Sequence, residues 1–339
     1  MKHDAVDPGR RVLMALLYLA LSIAFVVPYM RNTARWSSAD FRSFNSGVLD
    51  YPNALDSFRY RVLTPALGRA IFRLPGADPR AAYVSIAIAS VWGSILAFRA
   101  LLARFTSAAR GGLLAPILLY PLIWNYVLLN RLYYPFDMPQ ILLILLGWNA
   151  LGRLDWRWFY PLLALATLNH EGSAILIPIA AVTFPESMRP AARFGHLAAM
   201  IALWLGIVVG TRVLLSGAGD MTRNDWLAGN LSTLADMLTG RGDAWKDWAK
   251  LALSFGGMIW LLPFVLRDAD PFLRRSLWAS VPFVIGVLFR GILHEVRVYG
   301  ELVPLIAAPV ACAIATRLDR RDSANARVAA NPQSATQKS

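Results

Sequence analysis

Three short polar clusters interrupt otherwise apolar sequence: Tyr133-Tyr134-Pro135-Phe136-Asp137-Met138-Pro139, Asn169-His170-Glu171-Gly172 and His294-Glu295-Val296-Arg297. A fourth polar stretch, about residues 31–80, carries Asp40, Asp50, Asp56, Arg59 and Arg61. Carboxylates, imidazoles and guanidiniums are the groups that take a proton from a hydroxyl and steady a departing anion. Asp40 and Glu171 are the candidate bases. Arg61, Arg297 and Arg131 are the candidate cations, because the guanidinium fork matches phosphate oxygens. Asp137, His170, His294 and Glu295 complete the candidate binding set. A divalent ion such as Mg or Mn, held by carboxylate oxygens, can replace part of the cationic set.

Each cluster also has a plainer reading. Asp137 stands directly before an apolar run, where Asp caps a helix. His294, Glu295 and Arg297 can form a loop ion pair that orients two helices. Glu171 can sit in a buried structural pair, although a carboxylate at membrane depth is expensive to keep idle. The four histidines, at 3, 170, 196 and 294, form no HExxH or other ligand-spaced pair. His196 opens an apolar run and is given no function. Cys312 is the single cysteine, so neither a disulfide framework nor a Cys-based zinc site is available.

What must position these groups is set by composition. Apolar residues make up 57% of the chain and charged ones only 16%, where a soluble domain carries about 25%. The mean hydropathy of +0.46 agrees. These values demand lipid as solvent. A spanning helix needs about 20 mostly apolar residues. On that template ten crossings are expected, at about 12–30, 81–103, 112–130, 136–152, 158–169, 172–185, 194–215, 248–266, 276–293 and 298–316. The run from 158 to 169 and the run from 172 to 185 are short. Asn169–Gly172 lies between them, so Glu171 is expected near the base of a cavity that opens outward.

Orientation follows from arginine. The net charge of +13 comes from 30 Arg and 4 Lys against 21 acidic residues. With a cytoplasmic N-terminus, every short inner loop is basic, as at Arg10–Arg11, Arg153–Arg157, Arg189–Arg193 and Arg267–Arg275, which is the positive-inside pattern. Both termini then fall in the cytoplasm, and all three clusters fall at the outer face with the 31–80 loop. The expected organisation is one transmembrane domain over residues 1–317 and a disordered cytoplasmic tail over 318–339.

Two outer segments are long. Within the first, Phe58–Leu74 has apolar residues at 63, 67, 71 and 74, and Arg61, Arg69 and Arg73 on a second stripe. It reads as an amphipathic helix lying in the outer interface. Snorkelling arginines explain that stripe as well as a phosphate-binding face does. The second, about 216–247, contains a short helix near Trp226–Thr239 and the sequon Asn230-Leu231-Ser232, read as a chance occurrence.

On these residues the chain resembles the bacterial GT-C-type membrane glycosyltransferases and is similar in size to membrane polysaccharide polymerases. The resemblance rests on the first long outer loop with Asp40, the Tyr60-Arg61-Val62-Leu63-Thr64-Pro65 run, the Asp137 cluster opening a span and the Asn169-His170-Glu171 apex. It implies an all-α bundle of transmembrane helices with interfacial helices in the first outer loop. It further implies a polyprenyl-phosphate sugar donor and an acidic base in that loop, Asp40 or alternatively Asp50. The chain lacks the paired acidic motif that many members carry there, and it has no large C-terminal extracytoplasmic domain. The competing reading is a transporter or flippase of a lipid-linked or anionic substrate, which broken helices would suit. Against it, no internal repeat is visible and the clusters collect on one face. A Ser–His hydrolase built on Ser173 and His170 is disfavoured by their spacing and by the missing GxSxG elbow.

Overall fold

A lipid-facing chain must satisfy its amides internally, and helices do this within one segment. The computed structural model describes residues 8–31, 60–73, 78–129, 133–215 and 226–330, and among these there is no strand. The elements are α1 (Pro8–Arg31), α2 (Leu63–Phe72), α3 (Pro79–Leu102), α4 (Ala108–Leu128), α5 (Asp137–Gly152), α6 (Trp156–Asn169), α7 (Glu171–Thr183), α8 (Pro190–Leu215), α9 (Trp226–Thr239), α10 (Ala244–Val265), α11 (Pro271–Phe289) and α12 (Val303–Ala330). A 3-10 turn, Val296–Leu302, leads into α12.

Local chemistry sets several starts. Asp78 caps α3 by accepting from the Ala81 amide, with Pro79 at the first helical position. Ser107 caps α4, and Asp270 caps α11 ahead of Pro271. Irregular backbone follows proline or glycine. α4 tightens to 3-10 at Ala115–Leu118 around Pro116, then widens to a π-turn at Trp124–Leu128.

Seven helices among the described residues are long and apolar enough to cross a membrane, which supports a membrane-embedded chain whose described elements are all helical. They are α1, α3, α4, α8, α10, α11 and the segment Val296–Asn325. Each coincides with one of the ten expected runs. The other three runs are α5, α6 and α7, of which α5 has 16 residues and α6 has 14. The segment leading through α12 has 78% of its apolar window inside the protein, while α8 has 11%, so α12 is central and α8 peripheral. α5 is the other core element. Trp148 is fully buried, donates to Ser276 Oγ at 3.0 Å and stacks on Phe272 at 5.7 Å. Asn149 donates to the Ala97 carbonyl at 3.0 Å and ties α5 to α3.

The polar clusters and the arginine-rich turns lie at opposite ends of the bundle. At the basic end Arg110 pairs with Asp319 and Asp322, both at 2.6 Å, and Arg104 donates to the Gly152 carbonyl at 2.6 Å. From Val303 to Arg320 the helix axis covers about 26 Å, close to a hydrocarbon thickness of about 30 Å. Within the stretch 318–339 read from the sequence as a disordered tail, helix continues as far as Ala330, and 331–339 lie outside the described residues. Arg110 anchors its first turn, and Leu318–Ala330 contains neither glycine nor proline to stop it.

α2 and α9 appear where amphipathic and short helices were expected. The face of α2 that packs on the protein is not the leucine stripe. Thr64, Pro65 and Gly68 are buried, and an added Cβ at Gly68 would lie 3.1 Å from the Tyr83 ring. Leu67 faces outward, 45% exposed. Asn230 of the sequon is buried and donates to the Leu288 and Gly291 carbonyls at 2.8 and 2.7 Å. It also accepts from the Leu293 amide at 2.8 Å. A glycan there would require breaking all three bonds.

α10 is broken inside its apolar stretch. Phe255, Gly256 and Gly257 take φ of 56°, 64° and 73°, the left-handed region. Asn125 Oδ1 accepts from the Phe255 amide at 2.6 Å, and Tyr120 donates to the Gly256 carbonyl at 3.0 Å. A Cβ at Gly256 would lie 2.2 Å from the Tyr120 ring and 2.5 Å from Trp124. Gly256→Ala combines left-handed strain with overpacking and is expected to cost about 3 kcal/mol. A clear drop in melting temperature in detergent checks this, with Gly206→Ala, where nothing lies within 4 Å, unchanged or slightly stabilised.

Candidate functional site

Four distant stretches converge at the end opposite the arginine-rich turns. The approach to α2 is pinned by Val62, whose amide donates to the Leu168 carbonyl at 2.8 Å. Thr64 donates to Asn169 Oδ1 at 2.6 Å. Asn169 Nδ2 donates in turn to the Phe136 carbonyl at 2.9 Å and to Gln140 Oε1 at 3.0 Å. One buried asparagine at the α6–α7 reversal therefore locks three segments together. The fourth stretch is held by Tyr126, which donates to the Arg297 carbonyl at 3.2 Å, and by Asn125, which donates to the Val296 carbonyl at 3.3 Å. Asn125 thus connects the break in α10 to the Arg297 turn. Gly300 permits this approach, since a Cβ there would lie 1.8 Å from the Tyr126 hydroxyl.

These segments enclose a cavity of about 60 Å³, lined by Arg61, Tyr126, Asp137, Gln140, His170, Arg297 and Glu301 among others. That volume holds a few waters or a hydroxyl group, but not a sugar ring. Arg297 is only 10% exposed; its Nη1 lies 3.7 Å from Asp137 Oδ2 and its Nε 2.5 Å from Glu295 Oε1. Its guanidinium also stacks on the Tyr134 ring at 3.5 Å. Arg61 stacks on Phe136 at 4.4 Å. Burial pulls the Arg61 guanidinium down to about 10, opposed by the charge of Asp137, and it stays cationic at neutral pH. Asp137 Oδ2 is buried and has no hydrogen-bond partner among the described residues.

His170 leaves the helical region at the end of α6, with φ −161° and ψ 133°, which turns the chain sharply into α7. Its Nδ1 lies 3.0 Å from Glu301 Oε1 and 3.1 Å from the Gly172 amide. Glu301 is buried. Gly172 leaves room for this pair, because a Cβ would lie 2.4 Å from Glu301 Oε1.

Of the expected site residues, Arg61, Asp137, His170 and Arg297 line the cavity together. Glu295 stands behind Arg297. His294 is adjacent in sequence but does not line the cavity, and its buried Nδ1 has no partner among the described residues. Glu171 is not at the cavity base. It turns outward, half exposed, and pairs with Arg212 of α8, while Trp204 donates to its carbonyl at 3.0 Å. The buried carboxylate beside His170 is Glu301 instead, because the 3-10 turn at 171–175 swings the Glu171 side chain away. Ser173 is buried against Thr167 at 2.9 Å, engaged as part of the core rather than as a nucleophile. Asp40, Asp50, Asp56, Arg59 and Arg131 lie outside the described residues.

Sequence reasoning missed Glu301, Gln140, Tyr126 and Arg212. Glu301 and Gln140 carried a readable signal, since each is a polar residue within an apolar run. Tyr126 and Arg212 carried none, since an aromatic and an arginine near a helix end are ordinary interfacial residues.

The cavity wall is charge-balanced, with two guanidiniums, two carboxylates and one imidazole. Such a set suits moving a proton beside a group that departs as an anion better than it suits capture of an anion alone. Among the described residues no three His, Cys, Asp or Glu side chains are placed to hold a metal ion. The carboxylates at the cavity are turned to Arg297 or His170, so no step below is routed through a metal. No protein-family profile, no curated protein and no solved structure matches this chain.

Proposed function

We propose that the chain is a membrane glycosyltransferase. It moves a sugar from a polyprenyl-phosphate-linked donor to a hydroxyl of a lipid or glycan acceptor, at the periplasmic face of a bacterial inner membrane. The observation that carries this reading is the shared cavity in which a largely buried carboxylate, Asp137, whose Oδ2 has no hydrogen-bond partner among the described residues, stands beside Arg61 and Arg297. The acceptor oxygen attacks the anomeric carbon, and the bond from that carbon to the phosphate oxygen breaks with its electron pair going to the phosphate. Asp137 takes the acceptor proton. Arg61 and Arg297 meet the charge that develops on the leaving polyprenyl phosphate. The saccharides and the donor phosphate lie at the cavity mouth, because only a hydroxyl fits inside, and the two guanidiniums act on the leaving phosphate across that mouth. The resemblance gives the base role to Asp40 or Asp50; Asp137 takes it here because it lines the cavity.

The side of the membrane follows from the arginine-rich end, which the positive-inside rule puts in the cytoplasm with both termini. On this reading all ten runs cross, with α5, α6 and α7 spanning a locally thinned bilayer. In a Cys312→Ala background, Glu171→Cys is expected to react with an impermeant thiol reagent from outside intact cells, and Arg320→Cys only after lysis. The reverse pattern would contradict the assignment.

The activity is tested with the purified chain in proteoliposomes containing polyprenyl-phosphate-linked sugars. Glycosylated acceptor and free polyprenyl phosphate are expected. Movement of intact donor between leaflets, with no covalent change, would instead support the transporter reading.

A further inference from the structure

A second, larger cavity of about 390 Å³ lies at the arginine-rich end, between the end of α10, the start of α11 and α12. It is far from the cavity at Asp137 and plays no part in the chemistry proposed there. Its size is in the range of ligand sites. Arg104, Arg317 and Arg320 supply three cations, and Asp268 and Asp270 supply two carboxylates. Not all are available to a ligand. Arg104 is stacked on Phe272 at 4.7 Å and bonded to the Gly152 carbonyl, and Asp270 accepts from the Phe272 amide at 2.8 Å as the cap of α11. Arg317, Arg320 and Asp268 remain exposed at the rim. Apolar residues, among them Val265, Leu273 and Pro309, share the lining with these charges, and Phe264, 68% exposed, belongs to it as well.

Phe264 lies on a membrane-spanning helix among other outward apolar residues, Trp260 and Leu261, so this flank faces acyl chains. One side of the cavity is therefore lipid and the other is a polar rim of two guanidiniums and a carboxylate. We propose that the cavity binds a phospholipid whose headgroup carries both a phosphate and a primary ammonium, as phosphatidylethanolamine does. The phosphate diester sits between Arg317 and Arg320, the ammonium donates to Asp268, and an acyl chain descends past Phe264. Asp268 decides between headgroups. It would repel a purely anionic lipid, and it gains no N–H donor from a quaternary choline.

Native mass spectrometry of the full chain, released from nanodiscs holding equal amounts of phosphatidylethanolamine, phosphatidylglycerol and phosphatidylcholine, tests this. Retention of phosphatidylethanolamine is expected to exceed that of phosphatidylcholine by about tenfold, the worth of one charge-assisted hydrogen bond. Asp268→Asn should bring phosphatidylethanolamine down to the phosphatidylglycerol level without reducing retained phosphatidylglycerol. The pair Arg317→Gln and Arg320→Gln should reduce retention of all three lipids. Asp268→Asn alters one exposed side chain, so it keeps the test decisive if the double variant does not fold. Equal retention of the three lipids, preference for phosphatidylglycerol, or no response to Asp268→Asn overturns the proposal. So does full displacement of the lipid by millimolar inorganic phosphate, which would mark a site for a soluble anion.

Discussion

Asp137→Asn is expected to lower the rate of sugar transfer by about a thousandfold, within the span of about 10² to 10⁴ that a positioned general base contributes. The substitution keeps the shape of the side chain and removes its basicity and its charge. Arg297 retains Glu295 at 2.5 Å, so the site keeps an ion pair and the chain is expected to insert and accumulate normally. Single-turnover transfer in proteoliposomes gives the rate, and gel filtration in detergent confirms the fold. Glu171→Gln is the matched control. It removes another carboxylate from the same end of the bundle, but one that is half exposed and paired with Arg212. An exposed pair contributes at most about 1 kcal/mol, and that variant should retain transfer within about threefold of the parent. Equal losses in the two variants would take the base role away from Asp137.

Arg297→Gln should damage both rate and stability, and the two effects can be separated. Loss of one preorganised charge donor costs about 10²- to 10³-fold in rate. Loss of the cation also leaves Asp137 and Glu295, both largely buried, without their common partner, and breaking such a pair costs about 3 kcal/mol. The stacking on Tyr134 is lost as well. Adding Glu295→Gln removes one orphaned carboxylate, so the double variant should recover part of the melting temperature and none of the transfer. Recovery of both together would make Arg297 a structural residue only.

The convergence of four chain segments at one end was legible in the sequence, because ionisable groups inside apolar runs are tolerated only where they face protein or water. The seven long spans were legible for the same reason that hydropathy works: apolar length is a direct requirement of the bilayer. The inner anatomy of the site was not. Arg61 was grouped with Arg69 and Arg73 by spacing, yet the helix starts only at Leu63, and the two residues before it carry Arg61 into the cavity instead of along the stripe. Glu171 is expected at the cavity base, yet the carboxylate found there beside His170 is Glu301, from the turn that leads into α12. The 3-10 turn after His170 directs Glu171 to Arg212, and Glu301 arrives from a distant segment, which no local periodicity encodes. The break in α10 was hidden for a related reason. Phe255 offers no warning of a left-handed backbone, which is imposed from outside by Asn125 and Tyr120.

Asn125 and Asn169 share a design. Each is fully buried and each bonds two different chain segments through opposite ends of its amide. Asn125 fastens the Arg297 turn to α10, and Asn169 fastens α2 to α5. Buried amides are costly unless every polar atom is satisfied, and when satisfied they fix one arrangement. The relative placement of Arg61, Asp137 and Arg297 rests on these two side chains more than on the long spans around them.

The covalent nature of the reaction is tested most directly by mass spectrometry of lipid-linked intermediates from cells in which the gene is deleted and then restored as the parent or as Asp137→Asn. One truncated lipid-linked glycan should accumulate in the deletion and in the Asp137→Asn strain, and disappear on restoring the parent. An unchanged set of intermediates in the deletion, or full rescue by Asp137→Asn, would contradict sugar transfer at this site.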